Sequence, residues 1–447
     1  MKSILSLLIF AVCSFNLPPL QAQGESTPKT GISLDALITG DQLWETTPAQ
    51  FEQMFNEKGL QWLSQDKDRA RFFGADFRIF NGEIHVLEGQ AEFQGGKLAR
   101  VNLSLYNRGD SVTDPRTVAE FEKMLGDIKG IISARIGVQG MDRGKDAASA
   151  VKATGWAWSK APTAFLLEYS YQKEMKGQGK LFRPEFVRLR VAPLPKQLLL
   201  GNSGATGNNP VSRNSLAANV TKETNGDVFI KTVPMVDQGP KGYCVVATTE
   251  RVFKYLGLNV DQHEMAAIAN SSSSGGTNPM EMVEALKKLT GRLKVRIRDL
   301  QVWTYADFNK MITDYNRAAK KNKKHEVNID GMRSINIGQI YEAFDPDSLK
   351  ESRATPGKGS YTKFQREVTD TLNRGLPLMW SVQLGLYKEI GLPQTGGGHM
   401  RLIIGYNLKT SEILYSDSWG AKHALKRMPM DDACAMTTGL YYLEPLQ

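Results

Sequence analysis

The chain has 447 residues, of which 41% are hydrophobic and 23% charged. It is too long for a disulfide-stapled miniprotein and too apolar for a disordered chain, and three cysteines give no disulfide framework. The formal charge of +9 comes from Lys and Arg scattered along the chain. No aromatic-interleaved basic stripe of the kind nucleic-acid binders use stands out, so the charge reads as solubility charge, with attraction to an acidic surface at most. No nucleic-acid partner, cofactor or metal is expected. At about 150 residues per domain, two or three domains are expected.

Lys2, an apolar run from Ile4 to Val12, then Asn16, Pro18, Pro19 and the small residue Ala22 make a secretory signal over residues 1–22: a basic start, a short apolar core and a cleavage point. Val12 stands where a small residue would be expected before a lipidated Cys13, which argues against a lipid anchor. An exported, periplasmic or extracellular chain without an integral membrane span is therefore expected. Cleavage removes Lys2 and Cys13, leaving Cys244 and Cys434. An oxidising compartment invites them to pair; the alternative is that one is a working thiol.

Residues 34–197 read as a first α+β block. Helical spacing appears at Pro48–Lys58 (Phe51, Met54, Phe55) and Thr117–Ile132 (Phe121, Met124, Leu125). Strand-like runs lie at Arg71–Phe73, Phe77–Phe80, Glu83–Leu87, Leu98–Tyr106, Ala164–Tyr171 and Phe186–Val191. The alternation of Val101, Leu103 and Leu105 predicts a half-buried strand. His85, within a strand-like run, reads as structural. The block shows no catalytic constellation and no repeats. From 201 to 227 the chain turns to Gly, Asn, Ser and Thr with little apolar periodicity, which predicts a flexible linker.

A second block, 228–447, opens with strand-like Val228-Phe229-Ile230 and runs through Gln238, Gly239, Pro240 and Gly242 to Cys244. Val245, Thr249, Val252 and Leu256 then follow helical spacing, with Gly257 as a stop. Cys244 should thus lie in the first turn of a buried helix. There the helix dipole and the backbone N–H groups favour a thiolate and could receive an oxyanion; an inert buried core residue is the competing reading. A nucleophilic thiol needs a base. His263, His325 and His423 read as ordinary surface residues, whereas His399 follows Gly396, Gly397 and Gly398 and opens a strand through Tyr406. After a turn centred on Lys409 a second strand, Glu412 to Gly420, pairs back. This register sets Asp417 opposite Arg401 and diagonal to His399. Asp417 could accept the His399 Nδ1–H and hold the ring, or simply pair with Arg401.

Gln238 six residues before Cys244, a helix, a Gly-preceded His399 and then Asp417-Ser418-Trp419-Gly420 resemble the papain-like cysteine peptidases, and among them the bacterial C39-like branch. The resemblance spans roughly 228–446. It implies an α+β, papain-like domain in which a central helix carrying the Cys packs on an antiparallel sheet carrying the His and Asp. It also implies Gln238 in the oxyanion hole, Cys244 as nucleophile, His399 as base, Asp417 holding that base, and Trp419 shielding the His–carboxylate contact. Three features depart from the wider family. Asp417 stands where papain has Asn. Lys241-Gly242-Tyr243-Cys244-Val245 replaces Cys-Gly-Ser-Cys-Trp, so that motif's disulfide cysteine is missing. The 154 residues between Cys244 and His399 carry a basic patch at Arg317–Lys324.

The implied chemistry is acyl transfer through a thioester, with a peptide or protein as substrate. An acyltransferase or transglutaminase-like enzyme, or a catalytically silent envelope-binding protein on the same scaffold, are the alternatives. The first block could be an inhibitory pro-segment, a recruiting module or a structural partner.

Overall fold

The computed structural model describes residues 31–194 and 210–446, apart from 56–57, 65, 109–114, 144–152, 173–181, 239–242, 259, 261–264, 266–278, 330–335, 391 and 393–395. The signal reading, His263 and the Gly239–Gly242 loop lie outside the described residues. The chain divides into two compact units at residues 205/206, both mixing helices with sheets that are antiparallel apart from the Ile32–Ser33 and Phe77–Ile79 pairing, which is parallel. Among the described residues no helix is long and apolar enough to cross a membrane.

In the N-terminal unit an eight-stranded sheet runs in the order Leu60–Trp62, Arg69–Phe72, Glu88–Gln94, Lys97–Asn107, Arg183–Pro193, Thr163–Gln172, Thr154–Lys160 and Met141–Asp142. A smaller sheet joins Ile32–Ser33, Phe77–Ile79 and Ile84–Val86. Val101 and Leu103 are fully buried and Leu105 nearly so, as the alternation predicts. The helix Val118–Ile136 has a complete capping box, Thr117 with Glu120, and ends at Gly137 in the left-handed region (φ 75°). It buries Phe121, Leu125, Ile132 and Ile136. Two strands, Glu88–Gln94 and Thr154–Lys160, are not visible in the sequence pattern, because Gly, Gln, Ser and Lys dilute their apolar alternation.

The linker reading of 201–227 is corrected over 210–227, residues 201–209 lying outside the described residues. Residues 210–227 fold with the C-terminal unit: Val211 N–H donates to Leu256 O (2.9 Å), Asn219 to Tyr255 Oη (3.0 Å), and Leu216 is buried. The short strand Val220–Lys222 pairs with Asp227–Ile230. Polar composition hid this because the segment holds on through backbone and amide hydrogen bonds around one apolar anchor.

The C-terminal sheet runs Val220–Lys222, Asp227–Ile230, Gly397–Asn407, Leu378–Leu384, Thr437–Pro445 and Val295–Gln301. On its other side Gly397–Asn407 pairs with Glu412–Ser416, which pairs in turn with Lys426–Pro429. Gly405 sits at the irregularity of that hairpin; a Cβ there would lie 2.5 Å from Phe229 Cβ and 2.7 Å from Val228 O, so close strand approach requires glycine. The helix Cys244–Tyr255 is buried on nearly every side, wider than the single apolar stripe the spacing suggests, and so belongs to the interior of the unit. Its polar members tie it to its surroundings: Thr248 Oγ1 donates to Met400 O (3.2 Å), Arg251 Nε to Pro234 O (2.8 Å) and Arg251 Nη2 to Ser416 Oγ, while Lys254 pairs with Glu250. These bonds fix the helix against the strands on which His399 and Ser416 stand.

Candidate active site

Cys244 opens the buried helix, and the N-cap residue Tyr243 supplies no side-chain hydrogen bond to the first turn. Gln238 is buried and docked by its backbone, its N–H donating to Ser418 O at 2.9 Å. His399 sits in Gly397–Asn407 opposite Val382. The hairpin register near the site is the expected one, with Leu402 opposite Ser416 and Ile403 opposite Tyr415. The second strand, however, ends at Ser416 rather than running on to Gly420. Asp417 therefore lies just beyond the ladder, its N–H donating to His423 O (2.9 Å), and the chain turns away through Gly420 at φ 91°. Leaving the ladder frees the Asp417 side chain to reach past its paired position.

That reach brings the predicted groups together. His399 Nε2 lies 2.7 Å from Asp417 Oδ1, and both side chains are fully buried. The expected use of Nδ1 is corrected: Asp417 engages Nε2, because it approaches from beyond the strand end rather than from a diagonal ladder position. Nδ1 has no hydrogen-bond partner within bonding distance, and Cys244 is near enough to the ring to favour its protonated form. The expected Arg401 pairing is also present, since Arg401 Nε donates to Asp417 Oδ2 at 2.8 Å. Ser418 N–H adds a third bond, to Oδ1, at 2.8 Å.

The electrostatics follow from this packing. Burial works against the imidazolium, but Asp417 and Cys244 outweigh it and hold His399 up at about 9. Burial likewise opposes Asp417 ionisation, yet His399 and Arg401 pull its carboxyl well below the usual range. Trp419 stacks on His399 with ring centroids 4.6 Å apart and planes tilted by 25°. It is half-buried and covers the imidazole from one side. His423, read as surface from sequence, instead sets its ring edge-on to Trp419 at 5.6 Å, and burial pushes its pKa down.

Residues 230–443 match the model of the Peptidase_C39 like family. The C-terminal half is a C39-like domain. Among solved structures the chain is similar to xylellain, a cysteine protease from Xylella fastidiosa, with 14% identity, covering 54% of this chain and 91% of that one, at a TM-score of 0.29. No curated protein matches the chain. The family match lies within the C-terminal unit and leaves the N-terminal sheet domain outside it.

Sequence reasoning missed one part of the C39-like site. Behind Asp417, Arg401 Nη1 donates to both oxygens of Glu389 (3.0 and 2.8 Å), and Tyr415 Oη donates to the same carboxylate. Glu389 comes from a loop with no periodic signal, and only the Arg401–Asp417 register hinted at a charged layer there. Cys434, in Met430–Met436, is buried and, like Cys244, not in a disulfide, and burial pushes its thiol up to about 11. Among the described residues no group of three or more His, Cys, Asp or Glu side chains is placed to hold a metal ion.

Proposed function

We propose that this chain is an exported cysteine peptidase that hydrolyses peptide bonds through Cys244, His399 and Asp417. The observation that carries the proposal is the placement of His399, with one ring nitrogen 2.7 Å from a buried carboxylate and the other left for Cys244. In this reading the Cys244 proton passes to His399 Nδ1, and the thiolate attacks the substrate carbonyl. Asp417 keeps the imidazolium favourable and its ring oriented. The Cys244 backbone N–H and the Gln238 side chain receive the oxyanion. His399 then gives its proton to the leaving amine, and water resolves the thioester with His399 as base.

The substrate is accordingly a peptide or protein. The signal-like pattern of Lys2, the Ile4–Val12 run and Ala22 supports export, and a mature N terminus near Gln23 in the periplasm or medium is the expected finding. A quenched peptide library, incubated with and without an added amine, tests the reaction. Cleavage that needs no amine, together with labelling of Cys244 by a thiol-directed activity probe, is expected. Amine incorporation without hydrolysis would make the chain a transferase, and no Cys244 labelling under reducing conditions would leave only a silent scaffold.

A further inference from the structure

Asp417 is held at both ends of its carboxylate: Oδ1 faces His399 and the Ser418 N–H, and Oδ2 takes the Arg401 Nε–H. A carboxylate anchored this way cannot turn its plane away from the imidazole. Yet a guanidinium 2.8 Å from Asp417, with 1% of its side chain exposed, would cancel the carboxylate's charge and present His399 with a neutral pair. The structure supplies the missing charge one layer further back. Glu389 accepts from Arg401 Nη1 with both oxygens and from Tyr415 Oη. Tyr415 stays a neutral donor, because burial pushes its phenol up. The Arg401 guanidinium also lies over the Tyr415 ring (4.7 Å) and near the Trp419 ring (5.9 Å), so its position is fixed from several sides.

We infer that Arg401 is a positioning residue for Asp417 and that Glu389 is its counter-charge, the two together keeping one net negative charge behind His399. The inference rests on the Cys-His-Asp reading above. Asp417, Arg401 and Glu389 count as minus, plus and minus, so the imidazolium–thiolate pair faces the net charge of a lone carboxylate with the geometry of a clamped one. The other ionisable groups around this cluster are Cys244 from the helix, His423 and Lys426 from the turn and strand beyond Trp419, and Asp237 beside Gly420.

The test is the pH dependence of Cys244 alkylation by iodoacetamide in the full chain, read by mass spectrometry on the Cys244 peptide so that Cys434 does not interfere. The upper inflection reports loss of the His399 proton beside the thiolate. In Glu389→Gln, an isosteric change, this inflection should move down by about one pH unit, as expected for losing a charge close to the pair. In the double variant Arg401→Met with Glu389→Gln both charges go, and the inflection should return toward its original pH. Peptide cleavage should stay reduced at least tenfold, because Asp417 is then held at one end only. Thermal melting of each variant checks that it is folded, and Arg401→Lys, which keeps the charge but cannot span both carboxylates, replaces the double variant if that one is not. It should lower turnover with little change in the inflection. An inflection that Glu389→Gln leaves in place, in a chain whose His399→Ala variant loses it, would overturn the inference while sparing the Cys-His pair. An alkylation profile indifferent to His399→Ala would overturn the Cys-His reading itself and this inference with it.

Discussion

Both units bury charge, but to different ends. In the N-terminal unit Glu168 meets Arg188 (2.8 Å), Arg143 (3.1 Å) and Arg190 (3.1 Å), Glu185 meets Arg183 and Arg108, and Arg71 meets Glu88. Every one of these pairs joins a carboxylate to a guanidinium, and a guanidinium does not give up its proton in a protein. In the C-terminal unit the buried series Glu389, Arg401, Asp417 begins the same way but continues into His399 and Cys244. The difference is a group at the end of the series that can trade a proton with a neighbouring thiol. Buried ion pairs by themselves therefore mark architecture; a buried ion pair terminating in an imidazole and a thiol marks chemistry.

The largest effects should separate the units by kind. Cys244→Ala should lower kcat/KM for peptide cleavage by about 10⁴-fold or more, since loss of a nucleophile leaves only binding and oxyanion stabilisation, with little change in melting temperature. Asp417→Asn should cost about 10²–10⁴-fold, because the ring loses the charge that favours its protonated form. Glu168→Ala should do the reverse. It strands buried arginines in the other unit, costs about 3–5 kcal/mol of that unit's stability, and leaves kcat/KM unchanged once the chain is folded; steady-state kinetics beside chemical denaturation would show the contrast. A rate loss in Glu168→Ala comparable to that of Asp417→Asn would break the comparison.

Much of the site was legible because its chemistry is local in sequence: a Gly-preceded His399, Asp417-Ser418-Trp419-Gly420 eighteen residues on, and a hairpin between them whose register could be counted. The helix start at Cys244 was legible from the apolar spacing that follows it. What was not legible depends on where a strand stops. Asp417 reaches Nε2 because pairing ends at Ser416, and no residue type announces that end. Glu389 was hidden because a loop has no period, and residues 210–227 because hydrogen bonds rather than apolar spacing attach them. Asp227, counted as the last linker residue, is a buried anchor that accepts from Asn407 (2.8 Å) and is ion-paired with Arg427.

A smaller effect tests the unit boundary. A truncated chain starting at residue 206 should keep its fold and cleave peptides within a few-fold of the full chain. One starting at Asp227 should melt earlier, because it loses the Val211–Leu256 bond and the Leu216 anchor. A large gain in activity on truncation at 206 would show that the N-terminal unit inhibits the other.

The units should also respond oppositely to pH. Arginines hold the Glu168 carboxyl below its ordinary value, so its contribution is present above that value and fades as pH falls through the lowered one. His399 is raised to about 9; its contribution is complete below the ordinary histidine value and is lost as pH rises through about 9. Hydrogen exchange followed separately in each unit should show acid loosening around Glu168 and alkaline loosening around His399.

The central claim is that buried Asp417 holds His399 protonated beside Cys244, and the pH dependence of kcat/KM for peptide cleavage by the full chain tests it most directly. The account predicts a profile that stays high through neutral pH and falls as pH passes about 9, with the fall moved to lower pH in Asp417→Asn. A fall centred near the ordinary histidine value of 6.5, unmoved by Asp417→Asn, would contradict it.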